Sequence, residues 1–330
     1  MKLGTQKIDY NVKRLLITGA NGMLGKALSI ALWKYPSSQI IRADMPIDLR
    51  DVEQVKHLFN RTMPHYVIHA AAKVGGVKAN FDNLGDFYKD NILINTNVLE
   101  AAHKFGVIKI VSLLSTCVYP DKVTYPLTED QIHNGPPHSS NYAYAYAKRM
   151  LDIQSQAYRD QFGCNFVTVV PNNLFGINDN FHLEDSHVIP AMIRKIYEAK
   201  LAGTDAVLWG DGSPLREFTY VNDLADILLF ILDEYNEKGP INVGCCNEYS
   251  IKQIAELIID YLGFSGKLIW DESKPAGQFK KPSSNQKLRQ FVENRGLELK
   301  YTPLESGLKT VCDWFQDIYP EVRGYQIYKK

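Results

Sequence analysis

Short apolar runs alternate with longer stretches of helical periodicity along the first half of the chain. The run at residues 14–18 ends in glycines, and the stretch after it carries Leu28, Leu32 and Tyr35 at helical spacing. A short apolar run beside Gly is typical of a buried parallel strand, and the helical spacing predicts a helix. Further strands are predicted at residues 39–41, 66–72, 108–114 and 165–170, and further helices at 52–62, 91–105 and 141–162. The alternation predicts an α/β fold with a doubly wound parallel sheet.

The second half of the chain is less regular. Residues 171–216 read as loops with one helix at 187–200, and residues 275–285 as a polar loop. Ser250 is the expected N-cap of a helix that ends at residue 262. Other elements are predicted at 222–235 (helix), 241–244 (strand) and 303–315 (helix). We therefore expect one domain at 12–172 plus about 217–248, and a smaller, mixed α/β C-terminal domain at about 173–216 plus 249–330.

Composition excludes several classes of protein. The 330 residues carry 37 Lys+Arg and 37 Asp+Glu, so no bulk charge attracts nucleic acid or an anionic membrane. Five cysteines without CxxC or Cys/His ligand spacing argue against a disulfide framework and a metal site. No apolar run approaches the ~20 residues that span a bilayer, and the N-terminus lacks a signal-peptide core. We expect a soluble, cytoplasmic protein with no nucleic-acid or membrane partner.

Three glycines separate the first predicted strand from the first helix. Gly19, Gly22 and Gly25 have the spacing GxxGxxG. Glycines allow a phosphate to approach the backbone, and a helix N-terminus offers it free N–H groups. In this strand–turn–helix context the spacing predicts a Rossmann-type dinucleotide site. Arg42 suits a 2′-phosphate and Asp44 a ribose 2′-hydroxyl, so NADPH and NADH both stay open.

A second group of polar residues points to carbonyl chemistry. Ser115 follows a predicted strand, and Tyr144 and Lys148 are four apart, so they share one helix face. A lysine beside a tyrosine should lower the phenol pKa, and such a phenol exchanges a proton with a carbonyl oxygen during hydride transfer. Tyr142 and Tyr146 lack this spacing and are interpreted as packing residues. Alone, the pattern is equally that of an exposed amphipathic helix.

Together these residues resemble the extended short-chain dehydrogenase/reductase family over nearly the whole chain. Within it, several longer motifs are similar to those of the GDP-L-fucose synthases, which are GDP-4-keto-6-deoxymannose 3,5-epimerase/4-reductases. The motifs lie at residues 71–76, 115–120, 179–182, 186–190 and 209–218.

The resemblance implies two reactions at one site. Protons are removed and returned at C3 and C5, and NADPH then reduces the C4 ketone to give GDP-L-fucose. By matching motifs, the resemblance implies that Ser115, Tyr144 and Lys148 form the reductase triad. It places Cys117 and His187 as base and acid of the epimerisation. A thiol and an imidazole suit this work because both can titrate near neutrality. The remaining cysteines are interpreted as structural: Cys164, Cys245, Cys246 and Cys312.

The resemblance also implies contacts with the cofactor NADP(H) and the GDP-sugar, and no metal. The residues expected at NADP(H) are Gly19, Asn21, Gly22, Met23, Leu24, Gly25, Arg42, Asp48, Leu49, Ala70, Ala71, Ala72, Tyr144, Lys148, Pro171, Asn173, Leu174 and His187. Those expected at the substrate are Asn173, Lys195, Trp209, Arg216 and Lys281, where Arg suits bidentate phosphate contact and Lys acts as a point charge. Three positions depart from the family pattern, namely Asp44, Lys195 and Ala276. Members of the family are commonly homodimers through the helix that bears Tyr144 and Lys148.

Four alternatives stay open at this point. The chain could reduce another GDP-4-keto sugar, such as a deoxyhexose or heptose, with or without epimerisation. It could be a pure 3,5-epimerase without net NADPH consumption. A non-catalytic dinucleotide-binding sensor would be expected to lose part of the Ser/Tyr/Lys set, which is complete here. A nucleic-acid-binding protein would show a basic stripe, which is missing from this sequence.

Overall fold

A six-stranded parallel sheet lies at the centre of the molecule. The structure is a computed structural model, and it describes residues 7–43, 47–273 and 279–325. The strands are β1 Leu15–Thr18, β2 Ile40–Ala43, β3 Tyr66–His69, β4 Lys109–Leu113, β5 Phe166–Val170, β6 Asn173–Phe175, β7 Ala206–Trp209, β8 Leu215–Tyr220, β9 Ile241–Asn242, β10 Glu248–Ser250 and β11 Leu268–Asp271. The central sheet has the order β2-β1-β3-β4-β5-β9, and each neighbouring pair is parallel. This confirms the predicted doubly wound α/β fold.

Helices cover both faces of this sheet. They are α1 Met23–Ala31, α2 Val52–Thr62, α3 Val77–Asp82, α4 Leu84–Lys104, α5 Tyr142–Phe162, α6 Val188–Ala202, α7 Val221–Glu234, α8 Ile251–Leu262, α9 Gln286–Glu293 and α10 Leu304–Ile318. Side chains alternate across β1, so Leu15 and Ile17 pack towards α1 and α7, whereas Leu16 packs towards α2 and α4. The two-sided burial explains why the strands of this sheet read as continuous apolar runs.

A smaller part of the structure uses short strands that the sequence analysis missed. Sheet β10-β8-β6 and ribbon β11-β7 pack with α6, α8 and α10 around a second core. The expectation of loops and one helix at residues 171–216 was therefore wrong, because β6, β7 and the start of β8 lie there. These strands have three to six residues and find partners far along the chain, as when Ala206 pairs with Leu268. The alternation of apolar and polar residues that marks a strand cannot be recognised in segments this short.

Two helix boundaries show what the sequence pattern can and cannot locate. Ser250 is confirmed as the N-cap of α8, since its side chain accepts a hydrogen bond from Gln253 N at 3.1 Å and Gln253 Oε1 accepts one from Ser250 N at 2.8 Å. Helix α4 was predicted to begin at Asn91 but begins at Leu84. Leu84, Phe87 and Tyr88 stand at helical spacing in its first two turns, but Gly85 and three charged residues lie between and beside them, which obscures the apolar pattern. Asp44 and Ala276 lie outside the described residues.

The topology decides where a ligand can bind. Strand β1 is followed by β2 on one side, and β3 lies on its other side, so a crevice opens between the carboxyl ends of β1 and β3. The residues that follow β4 and β5 meet at the same edge of the sheet. Within the described residues, no helix has both the length and the apolar character needed to cross a membrane.

Candidate active site

The glycine-rich turn has the geometry of a phosphate-binding loop. Gly19 has φ +72°, and a Cβ on it would lie 2.9 Å from Ala71 Cα. A Cβ on Gly25 would overlap the Gly19 carbonyl oxygen, so the close packing of α1 on the turn needs glycine there. Gly22 caps α1 without a side-chain hydrogen bond and no acidic residue lies in the first turn, which leaves the helix N-terminus open to an anion. These residues fit a dinucleotide phosphate. Asn21, Met23 and Leu24 complete the turn and the first residues of α1.

Three further residues expected at the cofactor, Arg42, Asp48 and Leu49, differ from one another in burial and in their partners. Arg42 is exposed at the end of β2, and its Nε donates to Ser29 Oγ at 2.9 Å, so its guanidinium lies against α1. Asp48 forms an ion pair with Arg50 at 2.8 Å, and hydrogen bonds from Arg50 lower the pKa of the Asp48 carboxyl. Leu49 is buried in the core. Arg42 therefore places a positive charge beside the helix that follows the turn.

A buried polar network, not foreseen from the sequence, joins the ends of β1 and β3. Burial lowers the pKa of His69 to about 3, so its ring is neutral. Thr18 Oγ1 accepts from Ala71 N at 3.2 Å and lies 2.8 Å from His69 Nδ1, while His69 Nε2 lies 3.1 Å from Asn95 Oδ1. A ring with its proton on Nε2 satisfies every one of these groups. The network fixes the strand ends beside the glycine turn, where Ala70, Ala71 and Ala72 follow β3.

Ser115, Tyr144 and Lys148 are brought together at the ends of β4 and α5. Ser115 hydrogen-bonds the Tyr144 phenol, and Lys148 Nζ lies 6.0 Å from the Tyr144 ring centroid and donates to Leu113 O at 2.8 Å. Desolvation raises the pKa of Tyr144 and lowers that of Lys148 to about 8. The expectation of a lowered phenol pKa was wrong for this structure, because burial raises the pKa and the opposing influence is only the hydrogen bond with Ser115. A phenol with a raised pKa keeps its proton at neutral pH and can donate it.

Cys117 faces the same pocket. It lies in a 3₁₀ turn after β4, where Ser115 Oγ accepts from Cys117 N at 3.3 Å. Asn141 Nδ2 donates to Cys117 Sγ at 3.0 Å. Negative charge on Cys117 raises the pKa of both Tyr144 and Lys281, so the thiol lies close enough to interact electrostatically with the phenol and the ammonium. The sequence analysis gave Asn141 no role, although it stands three residues before Tyr144.

His187 is the N-cap residue of α6, and solvent reaches its side chain. Desolvation by the surrounding cleft lowers its pKa, which favours the neutral ring. Gly76 packs against the neighbouring residue, since a Cβ on it would lie 2.9 Å from Ser186 O. Phe87 connects this region to the phenol, because its ring lies against Gly75 and 6.4 Å from the Tyr144 ring. The Gly75–Gly76 segment thus joins the start of α6 to the catalytic helix α5.

Lys281 lies near the thiol, and Arg216 lies near Lys281. Arg216 on β8 donates to Phe279 O at 3.3 Å, and the half-buried Lys281 follows in the same segment. Desolvation lowers the pKa of Lys281; Cys117 opposes this shift and Arg216 adds to it. A second pair lies on α6 and β7, where Lys195 Nζ is 4.7 Å from the Trp209 ring centroid. Neighbouring cations that repel one another are suited to binding a diphosphate.

Glu217 anchors this region, and the sequence analysis assigned it no role. Its side chain is 3% exposed and accepts from Ser283 N at 2.9 Å, Ser283 Oγ at 2.5 Å and Asn172 Nδ2 at 3.3 Å. Burial raises its pKa, and these hydrogen bonds oppose the increase. Its backbone oxygen accepts from Asn173 Nδ2 at 3.0 Å. A charged residue within an otherwise buried strand is the signal that could have revealed it. The expected cofactor residues Pro171, Asn173 and Leu174 lie on the segment that Glu217 holds.

Comparison with known proteins agrees with this geometry. A family model described as NAD dependent epimerase/dehydratase family matches residues 15–244, which run from β1 to the end of the central sheet. The chain therefore belongs to the NAD dependent epimerase/dehydratase family.

Individual relatives show which members of this family the chain is similar to. The chain is 42% identical to the GDP-L-fucose synthase of Dictyostelium discoideum, over 94% of this chain and 98% of that protein. It is similar to the crystal structure of a GDP-L-fucose synthetase from Naegleria fowleri bound to NADP, with TM-score 0.85, 40% identity and 98% of each chain covered. A GDP-6-OMe-4-keto-L-xylo-heptose reductase from C. jejuni has TM-score 0.86 but only 27% identity, over 94% of this chain and 99% of that one. The resemblance to the GDP-L-fucose synthases is confirmed.

Replacing Gly25 tests the phosphate turn. We expect Gly25→Ala to weaken NADPH binding by at least tenfold, because the new Cβ would push α1 away from the Gly19 carbonyl. NADPH fluorescence titration measures the dissociation constant. Gly85→Ala is the matched control, since a Cβ at this helical glycine meets no atom within 4 Å. Equal affinity of both variants and the wild type would contradict the assignment.

Proposed function

We propose that this enzyme converts GDP-4-keto-6-deoxymannose to GDP-L-fucose by 3,5-epimerisation followed by NADPH-dependent reduction at C4. The observation that carries the proposal is the position of Cys117, which lies two residues after Ser115 and whose charge acts on both Tyr144 and Lys281. A simple ketone reductase needs only the Ser/Tyr/Lys set. A thiol turned towards the same phenol supplies the additional base that epimerisation requires. The higher identity to the GDP-L-fucose synthases than to the heptose reductase supports the same choice.

Cys117 and His187 would perform the epimerisation. The 4-keto group acidifies the C–H bonds at C3 and C5, since the electron pair left behind is delocalised onto the carbonyl oxygen. The Cys117 thiolate accepts the proton from one carbon, and protonated His187 returns a proton to that carbon. Proton exchange with solvent then restores the thiolate and the protonated imidazole before the second carbon is inverted. Inversion requires removal and return on opposite faces of the sugar, so two different groups are needed. The lowered pKa of His187 makes its protonated ring a stronger acid, though a minor species at neutral pH.

The reduction would use Ser115, Tyr144 and Lys148. When bound at the glycine turn, NADPH supplies a hydride for C4. Ser115 hydrogen-bonds the C4 oxygen, and Tyr144 donates its phenol proton to that oxygen as negative charge develops. The raised pKa of Tyr144 keeps this proton available at neutral pH. The Lys148 ammonium stabilises the phenolate that remains.

The substrate's two ends would be held by different groups. Arg216 and Lys281 bind the diphosphate, which places the sugar beside Cys117. Lys195 and Trp209 form a further wall of this site, and Asn173 contacts the sugar and the cofactor. Arg42 favours NADPH over NADH by binding the 2′-phosphate. On this assignment, the cofactor domain comprises 12–172 and about 217–248, and the GDP-sugar domain comprises about 173–216 and 249–330.

We further propose a homodimer formed through α5. Four side chains on one face of this helix are 37–45% exposed: Tyr142, Tyr146, Met150 and Ile153. More than a third of each side chain stays exposed in the single chain, so the interpretation of Tyr142 and Tyr146 as packing residues stays a prediction. With Leu84 and Tyr88 of α4, Tyr142, Tyr146 and Met150 line a groove of about 440 Å³. A second copy of the same face would cover it.

We place the enzyme in the cytoplasm, where its free thiols suit a reducing compartment.

A charged substitution in the groove tests the proposed dimer. We expect Met150→Glu to convert the protein from dimer to monomer, because two carboxylates would be buried at the interface. Light scattering coupled to size exclusion measures the mass. Ile30→Glu is the matched control, since it places the same charge on an exposed apolar residue of α1. A wild-type protein that is monomeric at micromolar concentration would refute this part of the proposal.

Deuterium labelling tests the function itself. Wild-type enzyme with NADPH and GDP-4-keto-6-deoxymannose in D₂O should yield GDP-L-fucose carrying deuterium at C3 and C5, as read by NMR. Cys117→Ser should lose exchange by at least 100-fold, and Tyr144→Phe should lose NADPH oxidation by ~10²–10⁴ while it keeps exchange. A product without deuterium would eliminate the epimerase, and unchanged NADPH oxidation in Tyr144→Phe would eliminate the reductase assignment.

The pH dependence of reduction follows from Lys148. Its pKa of about 8 means that the ammonium is present below this pH and is lost above it. We therefore expect kcat for NADPH oxidation at saturating substrate to fall as pH rises through about 8. The slower Lys148→Met variant has no ammonium to lose, so its rate should show no such fall between pH 7 and 9. A wild-type plateau that extends to pH 10 would contradict the role of this charge.

A further inference from the structure

Asn141 occupies an unusual position at the start of α5. An asparagine at an N-cap ordinarily accepts a hydrogen bond from a backbone N–H of the first turn. Here the Asn141 side chain makes no capping hydrogen bond, and its Nδ2 instead donates to Cys117 Sγ at 3.0 Å. The other amide atom, Oδ1, is buried and has no hydrogen-bond partner among the described residues. Both features cost stability, so the fold alone does not explain this orientation of the amide.

We propose that Asn141 is a positioning residue for the epimerisation base, and that its amide holds the Cys117 sulfur and favours the thiolate. This inference rests on the proposed role of Cys117. An N–H donor interacts more strongly with a thiolate than with a thiol, so it shifts the equilibrium towards the form that accepts protons. The Ser115 hydroxyl oxygen accepts from the backbone N of Cys117, which fixes the turn and leaves the sulfur to Asn141.

The other groups that face the thiol cannot replace this donor. The titratable groups whose charges couple to Cys117 are Tyr144, from α5, and Lys281, from the segment beside β8. Ionisation of Tyr144 would repel a thiolate. Lys281 attracts one, but its charge is also committed to the diphosphate once the substrate binds. Asn141 is a neutral donor that does not titrate, so it can stabilise the thiolate throughout the reaction.

Alkylation of the thiol tests the hydrogen bond without any catalytic step. The full-length protein is treated with iodoacetamide at a series of pH values, and mass spectrometry measures the rate at the Cys117 peptide. Asn141→Asp keeps the size and a good N-cap but places a carboxylate beside the sulfur. We expect its half-maximal alkylation pH to rise by more than one unit, and that of Asn141→Ser, which keeps only a capping hydroxyl, to rise by a smaller amount. The exposed Cys246 is the internal control, and its profile should not change.

Exchange in D₂O links the hydrogen bond to catalysis. Asn141→Asp should lose C3 and C5 exchange at neutral pH by at least tenfold and recover part of it at higher pH, which a purely structural role would not produce. If neither variant changes the alkylation profile of Cys117, the inference is wrong. If Cys117→Ser keeps full exchange, the base is another group and the proposed function fails at that residue, while the alkylation profile still decides the hydrogen bond. Rapid alkylation of the buried Cys312 would reveal unfolding of Asn141→Asp, and Asn141→Ser then decides the inference.

Discussion

Burial of both faces of the parallel sheet is the constraint on which the rest of the structure depends. Strands β1, β4 and β5 are buried along their whole length, so a ligand cannot reach side chains on either face. The carboxyl edge of the sheet is the place where chain segments leave this apolar environment. The glycine turn, the Ser115–Cys117 segment and the Asn172–Asn173 segment all lie at that edge. The chemistry is concentrated there because the fold excludes it elsewhere.

Loss of water is the first cause of the pKa shift at four ionisable residues of the site. It raises the pKa of Tyr144 and lowers those of Lys148, His187 and Lys281, so every shift favours the neutral form. A site of this kind is adapted to charge that the ligands bring. An anionic diphosphate stabilises the cations, and a developing C4 oxyanion takes up the phenol proton. The same low polarity gives a single hydrogen bond, such as that from Asn141 to Cys117, an unusually large influence.

The substrate side of the site depends on one buried carboxylate. Glu217 holds Ser283 and Asn172, and thereby joins the segment bearing Lys281 to the segment bearing Asn173. Arg216 precedes Glu217 on β8, and side chains of successive strand residues point to opposite faces. Glu217 therefore anchors the segments while the Arg216 side chain points to the opposite face. The zero net charge of the chain is compatible with this local cluster of cations, since it restricts partners to small anions.

The sequence by itself determined the sheet and most of its helices, and it predicted a set of candidate reactive residues. It could do so because buried strands, helical periodicity and the Gly19–Gly25 spacing are local patterns, and the motifs are contiguous. Only the tertiary structure decided that β7 pairs with β11, that Glu217 holds Ser283, and that Asn141 donates to Cys117. It also reversed the expected pKa shift of Tyr144. These outcomes depend on contacts between distant residues and on the water they exclude, which no local pattern encodes.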